Sequence, residues 1–367
     1  MSKRVALAVG VALLAACAQD TPTGPGSSAA PASRPEASQA AGADRVVVLN
    51  QNVYPGANVD AVIAALANND PSDDLPALFA AIEELRVNDA QARAAGIVDQ
   101  IARYRPDVVG LNEITEIDVD LHPIGVDVEV HQRFLDLIQA EIAGRGLPYA
   151  VGASVKDIEA QPYPFVSYVD YDVVLVNTER VNVTASISHT FSLNLGEVAP
   201  GIVLKRGWAG VEAEIDGRPY TIVTSHPEPG DAWADLRAAQ ATELVGSISA
   251  DRPAILLGDY NDVPGSPLYQ VITGDGFTDL WSALRPGVRG YTATNSSDLS
   301  SRHLPLVKRI DYVWTRGFDH LQRAAPGSVD LIDDLPADRV QGPDGPIYVS
   351  DHAGMLARIL LPATPEQ

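Results

Sequence analysis

The stretch "AILLGDYN", Ala254 to Asn261, ends an apolar run with a carboxylate and an amide two positions apart. On an extended chain, residues two apart face the same side. Asp259 and Asn261 therefore address one place, and Tyr260 between them points into packing. The pattern recurs along the chain. "RVVVLNQN" ends at Asn52, "DVVGLNE" at Glu113 and "PYTIVTSH" at His226. "KRIDYVW" carries Asp311, and "VSDHAGM" carries Asp351 and His352. Each is an acid, amide or imidazole against a run that belongs in a core, where an unused polar group is costly. Taken singly, each is a residue that turns and caps use. Six such segments in one chain are not explained by turns alone. Hard carboxylate oxygen, as on Glu113, suits Mg²⁺, with Mn²⁺ as the substitute. An imidazole that is neutral near pH 7 can take a proton from water. No Cys/His cluster has zinc spacing, so no structural zinc is expected.

Strands must carry these groups. Short β-branched runs bounded by Pro, Gly, Asp or Asn predict them at 45–50, 107–112, 171–177, 208–215, 219–226, 253–259, 309–315 and 353–360. Helical spacing marks 88–104, 130–144 and 231–249. "DGRPY" at 216–220 joins two strands as a hairpin. Hairpins mixed with helical crossovers predict an α/β fold of two packed mixed β-sheets flanked by helices. Residues 53–90 exceed a simple strand-to-helix connection and predict an inserted helical element beside the site. Segments 120–128 and 192–205 read as rim loops. Trp208, Trp233, Trp281 and Trp314 read as core residues, not base-stacking platforms. His122, His131, His189, His303 and His320 match no motif and read as surface or loop residues.

Composition narrows the partners. The 367 residues are 46% hydrophobic, enough for a large core. The formal charge is 26 − 48 = −22. Such a balance favours solubility and argues against gripping nucleic acid through a broad basic face. It is silent on a small site that holds phosphate through a metal. The chain opens "MSKRVALAVGVALLAAC", a basic start and an apolar run too short to span a bilayer comfortably. Its end, "LLAAC", resembles the lipobox of bacterial lipoproteins. That implies a signal peptide over 1–17, lipid on Cys17 and a place in the bacterial cell envelope outside the cytoplasm. Cys17 is the sole cysteine, so no intramolecular disulfide forms. Residues 18–43 are rich in Ala, Pro, Ser and Gly and read as a flexible tether. One folded domain is expected over 44–367.

In chain order, "NVY", "LNE", "SHP", "GDYN", "RIDY" and "SDH" resemble the motifs of the endonuclease/exonuclease/phosphatase superfamily. That group includes deoxyribonuclease I, apurinic endonucleases, neutral sphingomyelinases and inositol polyphosphate phosphatases. The resemblance runs from about Val46 to Leu360, with "LNE" for the usual "LQE" and "GDYN" for "GDFN". Pro227 stands where the family usually has a leucine after its histidine. The resemblance implies a four-layer α/β sandwich that cleaves phosphate esters with water and a divalent metal. It makes Glu113 the main metal ligand, with Asn52 and Asp351 nearby. His352 matches the general base and Asp311 its orienting partner. Asp259 would orient the nucleophile or a metal, and Asn261 would hold a phosphoryl oxygen. His226 would stabilise charge or protonate the leaving oxygen, and Arg206 resembles an arginine near the phosphate. The substrate class is a phosphate ester: a phospholipid headgroup, a nucleotide or nucleic acid. The membrane is a partner through the lipid anchor, and no protein partner is inferred. The leading function is an anchored phosphodiesterase or phosphatase. An extracellular nuclease and a non-catalytic binding module on the same fold are the alternatives.

Overall fold

The computed structural model describes residues 45–68, 70–294, 296–318 and 329–360. Cys17, the tether and His320 lie outside the described residues. The strands run β1 (Arg45–Asn52), β2 (Val108–Asp120), β3 (Glu129–Arg133), β4 (Tyr149–Tyr163), β5 (Val166–Asn177) and β6 (Val181–Thr190). They continue β7 (Gly196–Ala199), β8 (Ile202–Leu204), β9 (Gly207–Ile215), β10 (Arg218–Ser225), β11 (Ala254–Asp259) and β12 (Thr278–Asp279). The last are β13 (Asp311–Arg316), β14 (Val329–Ile332), β15 (Val340–Gly342), β16 (Gly345–Ile347) and β17 (Gly354–Leu360). The helices are α1 (Val59–Ala67), α2 (Pro71–Val87), α3 (Ala90–Tyr104), α4 (Phe134–Gly144), α5 (Ala234–Ser247), α6 (Pro267–Gly274) and α7 (Leu280–Leu284). No described helix is long and apolar enough to cross a membrane.

Strand periodicity builds the layers. In β1, Val46 and Val48 face one way, and Val47 and Leu49 face the other. In β11, Ile255 and Leu257 oppose Ala254 and Leu256 in the same manner. Val46, Val48, Ile255 and Leu257 meet in a core between two sheets. Outside it, β1 packs on α3 and α4, and β11 packs on α5 and α6. The result is helix, sheet, sheet, helix: the two packed sheets flanked by helices that the pattern predicted, and the four-layer sandwich that the resemblance implied. One sheet has the order β14-β17-β1-β2-β5-β4-β8-β7, with β3 on β2, and the other β12-β13-β11-β10-β9-β6.

Pairing direction decides where the polar groups land. β1 and β2 are parallel, and so are β10 and β11. The C-terminal ends of β1, β10 and β11 therefore finish at the same edge, bringing up Asn52, His226 and Asp259, and β2 passes that edge at Glu113. β13 and β17 are antiparallel to their neighbours, so their N-terminal ends reach that edge. Asp259 is paired with Asp311 directly, and Met355 with Asn50.

The structure departs from the sequence reading in particular places. β4 and β6 are strands of 15 and 10 residues that it passed over. β6 is almost wholly exposed at the sheet edge, so it carries no apolar signal. The pattern at 130–144 is helical only from Phe134, because Glu129–Arg133 pairs with β2 first. Segment 192–205 contains β7 and β8 and is not a free loop. Trp233 is 40% exposed and is not a core residue, whereas Trp208, Trp281 and Trp314 are buried. The hairpin at Asp216-Gly217 stands, both residues having positive φ as a tight two-residue turn requires. The insertion after β1 is the helix pair α1 and α2.

Gly258, just before Asp259, has φ +142, and a Cβ there would lie 2.0 Å from the Ser225 carbonyl oxygen. The close approach of β11 to the end of β10 depends on that missing side chain. Gly258→Ala is expected to cost more than about 2 kcal/mol, from strain and lost pairing. Urea unfolding should show a lower midpoint at an unchanged slope.

Candidate active site

The converging strand ends wall a cleft of about 480 Å³. Glu113, His226, Asp259, Asn261, Asp351, His352 and Arg206 all line it. Asn52 and Asp311 stand directly behind, fully buried. Asn52 takes the Tyr54 N–H on its carbonyl oxygen (2.9 Å) and donates its amide to Asp259 Oδ2 (3.1 Å). Asp259 Oδ1 accepts the Asn261 N–H at 2.8 Å, and the Asn261 amide donates to Pro227 O at 3.1 Å. Tyr260 turns inward against Tyr312 and Trp314, as alternation requires.

Glu113 is aimed by a defect. The β2–β5 register slips between Leu111 and Ile114, and Glu113 takes φ 61 inside this bulge. Glu113 thus lies within a long strand, not at its end. A bulge is a known device for re-aiming a side chain. Tyr54 (φ 60) and Asn261 (φ 50) are also left-handed and also line the cleft. Each such residue costs on the order of 1 kcal/mol, which the surrounding layers offset.

The two site histidines have opposite surroundings. His352 Nδ1 lies 2.8 Å from Asp311 Oδ2 and 3.8 Å from Asp259 Oδ2. Burial disfavours its charge, but Asp311, Asp351 and Asp259 outweigh burial and hold its pKa well above 6.5. His226 Nδ1 faces the Arg206 guanidinium at 3.2 Å. Arginine can only donate, so Nδ1 accepts and the ring proton sits on Nε2. Nε2 is 3.9 Å from Glu113 and 3.7 Å from Asp259. Burial, reinforced by Arg206, pushes the His226 pKa down to about 3. The carboxylates respond in kind. Burial and the neighbouring Asp351 and Asp170 push Glu113 up. Burial lifts Asp311 to about 6. Burial also opposes ionisation of Asp259, but His352 and His226 outweigh it and hold that carboxyl below the usual range.

Several residues at the site were not singled out in the sequence. Asn112 donates to Asp172 (2.7 Å) and accepts the Asp259 N–H (3.0 Å), tying the two sheets together beneath the cleft. Arg93 is fully buried and donates to the carbonyls of Asn88, Val53, Tyr54 and Val349, joining α3 to the chain before Asp351. Asp170 and Lys308 also line the cleft. Nothing in their spacing marks them, because their partners are remote in sequence. His122, His131, His189 and His303 are exposed and away from this cleft, as read.

The model of the Endonuclease/Exonuclease/phosphatase family matches residues 80–352. The chain belongs to this family. Solved structures share the fold. A family protein from Leptotrichia buccalis is 14% identical, covering 85% of this chain and 98% of its own, with a TM-score of 0.53. The family member from Beutenbergia cavernae is 19% identical, covering 88% and 73%, with a TM-score of 0.51. One from Bacteroides thetaiotaomicron is 13% identical, covering 87% and 95%, with a TM-score of 0.51. No curated protein matches the chain.

The endonuclease/exonuclease/phosphatase family hydrolyses phosphate esters with a divalent metal, and this donor set fits one. Carboxylate oxygens of Glu113 and Asp259 lie within 4.8 Å of each other, with Asp351 in the same cleft; the His226 ring is equally near, but its Nε2 carries the proton and offers no lone pair. Burial and Asp351 raise Glu113, and burial and Asp259 raise Asp351. That is negative charge short of a cation, presented on hard oxygen.

A second acidic group lies deeper, around Arg206. Asp157, Asp170 and Asp172 are buried, and neither carboxylate oxygen of Asp157 has a hydrogen-bond partner. Burial lifts Asp170 to about 8 and Asp172 to about 7, and burial plus Asp172 raises Asp157. A raised carboxyl keeps its proton when folded at a pH where the unfolded chain has lost it. Folding then takes up protons, and stability falls as pH rises from the ordinary 3.8 to about 8. Asp157→Asn deletes one such group and lets an amide donate to Asp172. It should stabilise the protein at pH 8 by about 1–3 kcal/mol and by less at pH 5, the advantage vanishing only as pH falls toward the ordinary 3.8. Urea midpoints at both pH values read this, and a variant weaker than wild type at both would refute it.

Proposed function

We propose that this chain is a Mg²⁺-dependent phosphodiesterase or phosphatase that works outside the cytoplasm, held to the membrane by lipid on Cys17. The observation that carries it is the His352–Asp311 pair, 2.8 Å apart, opening on the same cleft as Glu113 and Asp259. A base with its orienting acid has no use in a binding module. In the reaction, the oxygen of water bonds to phosphorus and the P–O ester bond breaks. The leaving oxygen ends as an alcohol after gaining a proton from solvent water, and His352 afterwards returns the proton it took to solvent. Asp311 holds Nδ1–H of His352, so Nε2 is the basic atom of its neutral ring and accepts the proton of water. Asp259, held by Asn52 and the Asn261 N–H, orients that water. Asn261 and the Nε2–H of His226 donate to phosphoryl oxygen. His226 has a pKa pushed down to about 3, so it serves as a neutral donor and not as the acid for the leaving group. Glu113, with Asp351 beside it, would hold the metal, and Asn52 braces Asp259. A metal there supplies neutralisation of the charge that develops on the phosphoryl group. Arg206 stays charged among Glu228, Asp157 and Asp170, so its part is to fix His226.

The test is turnover of bis-p-nitrophenyl phosphate, p-nitrophenyl phosphate, plasmid DNA and sphingomyelin by the purified protein with Mg²⁺. EDTA is expected to abolish turnover, and Mg²⁺ or Mn²⁺ to restore it. Glu113→Ala should be inactive. His352→Ala should lose about 10²–10⁴-fold in kcat and keep its fold by circular dichroism. Full activity after chelation, or in His352→Ala, would remove the mechanism.

The pH profile adds an independent check. His352 is held above 6.5, so kcat/KM should rise with pH beyond neutrality. Asp311→Asn removes the nearest opposing charge. It should move that limb to lower pH while reducing kcat. A limb that stays in place would show that His352 is not the titrating base.

A further inference from the structure

Beside the cleft lies a second cavity of a different character, with about 60 Å³ of free space. The inserted pair α1 and α2 roofs it, and β2, β4 and β5 floor it. Val62, Ile63 and Leu66 come from α1, Leu78 and Ile82 from α2, and Ile117 from β2. Its walls are almost wholly apolar. The floor side chains are buried, but most of the large ones from the inserted helices are only half-buried, including Val62, Ile63, Leu66 and Ile82. On the same sheet, α3 and α4 bury Ile97, Ile101, Phe134 and Ile138 to 1% exposure or less. The inserted helices therefore close on the sheet incompletely and leave apolar surface that water meets. Ala57, Val59 and Tyr168 wall both the slot and the cleft. The slot is thus an apolar annexe to the place where the phosphate would sit.

We propose that the slot receives an apolar chain of the substrate, so the ester cleaved here is an amphiphile with alkyl or acyl carbon beside its phosphate. This deepens the reading of the cleft as a phosphoesterase site and rests on it. The charge around the cleft points the same way. Asp60, Asp231 and Asp262 line it besides the metal-binding acids, with Arg237 held on Asp262 at 3.1 Å and Lys308 also present. A polyanion laid across that rim meets repulsion at each phosphate, whereas a single phosphate with an apolar chain meets it once. The chain, in turn, covers Ile63, Leu66 and Ile82, and each methylene so buried tightens binding about fourfold.

The experiment compares methyl, butyl and hexyl p-nitrophenyl phosphate, diesters that differ only in chain length. KM should fall by about fourfold for each of the first added methylenes and level off once the slot is full. Ile63→Trp fills the slot and Ile63→Ser wets it. Both should flatten this dependence and leave turnover of the methyl ester unchanged. Turnover with a KM that ignores chain length, or a preference for plasmid DNA, overturns the slot and leaves the phosphoesterase reading intact. If no ester turns over, calorimetry of hexyl phosphate against methyl phosphate decides the matter. Tighter binding of the hexyl ester, lost in Ile63→Trp, supports the slot while the reaction fails. Equal binding overturns it, including the case in which the protein's own N-terminal segment already covers the slot.

Discussion

Repulsion among carboxylates at one edge of two packed sheets is the constraint on which the site depends. Glu113, Asp259 and Asp351 line one cleft, and Asp311 stands behind His352. Like charges brought together out of water oppose folding. Here the backbone leaves no escape. Parallel pairing of β1 with β2 and of β10 with β11 sends three strand ends and the β2 bulge to the same edge. Antiparallel β13 adds Asp311 opposite Asp259. The apolar core between the sheets and the two helical layers supply the burial that tolerates the repulsion. The charges are then available to a cation, and the site is pre-organised for it.

Holding those groups in place takes residues that do no chemistry. Asn112 links the β2 bulge to β11 and to Asp172. Arg93 spans four carbonyls and stacks over Phe134, so the α3 layer grips the chain on both sides of the cleft. Removing either leaves several buried acceptors or donors unpaired, each costing about 1–3 kcal/mol. The strained φ values at Tyr54, Glu113 and Asn261 fit the same picture. Strain persists where surrounding structure over-determines it, and three of the six described non-glycine residues with positive φ line the cleft.

The amino-acid order made some of this legible. Val46-Val47-Val48-Leu49 and Ala254 to Leu257 are apolar on both faces, which is what strands covered by a sheet and a helix need. The polar residues that follow them stood out against those runs. Two long strands did not stand out. β6 exposes nearly every residue at the sheet edge, and in β4 Lys156, Asp157 and Glu159 interrupt the apolar positions, so neither reads as core. The bulge at Glu113 is a pairing fact between β2 and β5, invisible in either strand alone. Asp170 and Asp157 matter through Arg206 and His226, contacts made only when distant strands meet. Local pattern found what each strand carries, and long-range pairing settled what it carries it toward.

The two histidines show how far environment outranks residue type. Both rings are buried at the same cleft, and burial pushes both toward the neutral form. The neighbour in contact with Nδ1 decides the rest. Asp311 opposes burial at His352, and Arg206 adds to it at His226. One ring is therefore a proton acceptor whose charged form is stabilised, the character a base needs while it takes a proton. The other is a fixed dipole with its N–H turned toward Glu113 and Asp259. A cation among those carboxylates would weaken the field that keeps His352 charged. That would lower its pKa from the metal-free position while Asp311, still in contact with Nδ1, keeps it above the ordinary 6.5. The carboxylates that raise the base and the carboxylates that would hold the metal overlap, so metal affinity and base strength are coupled through the same charges.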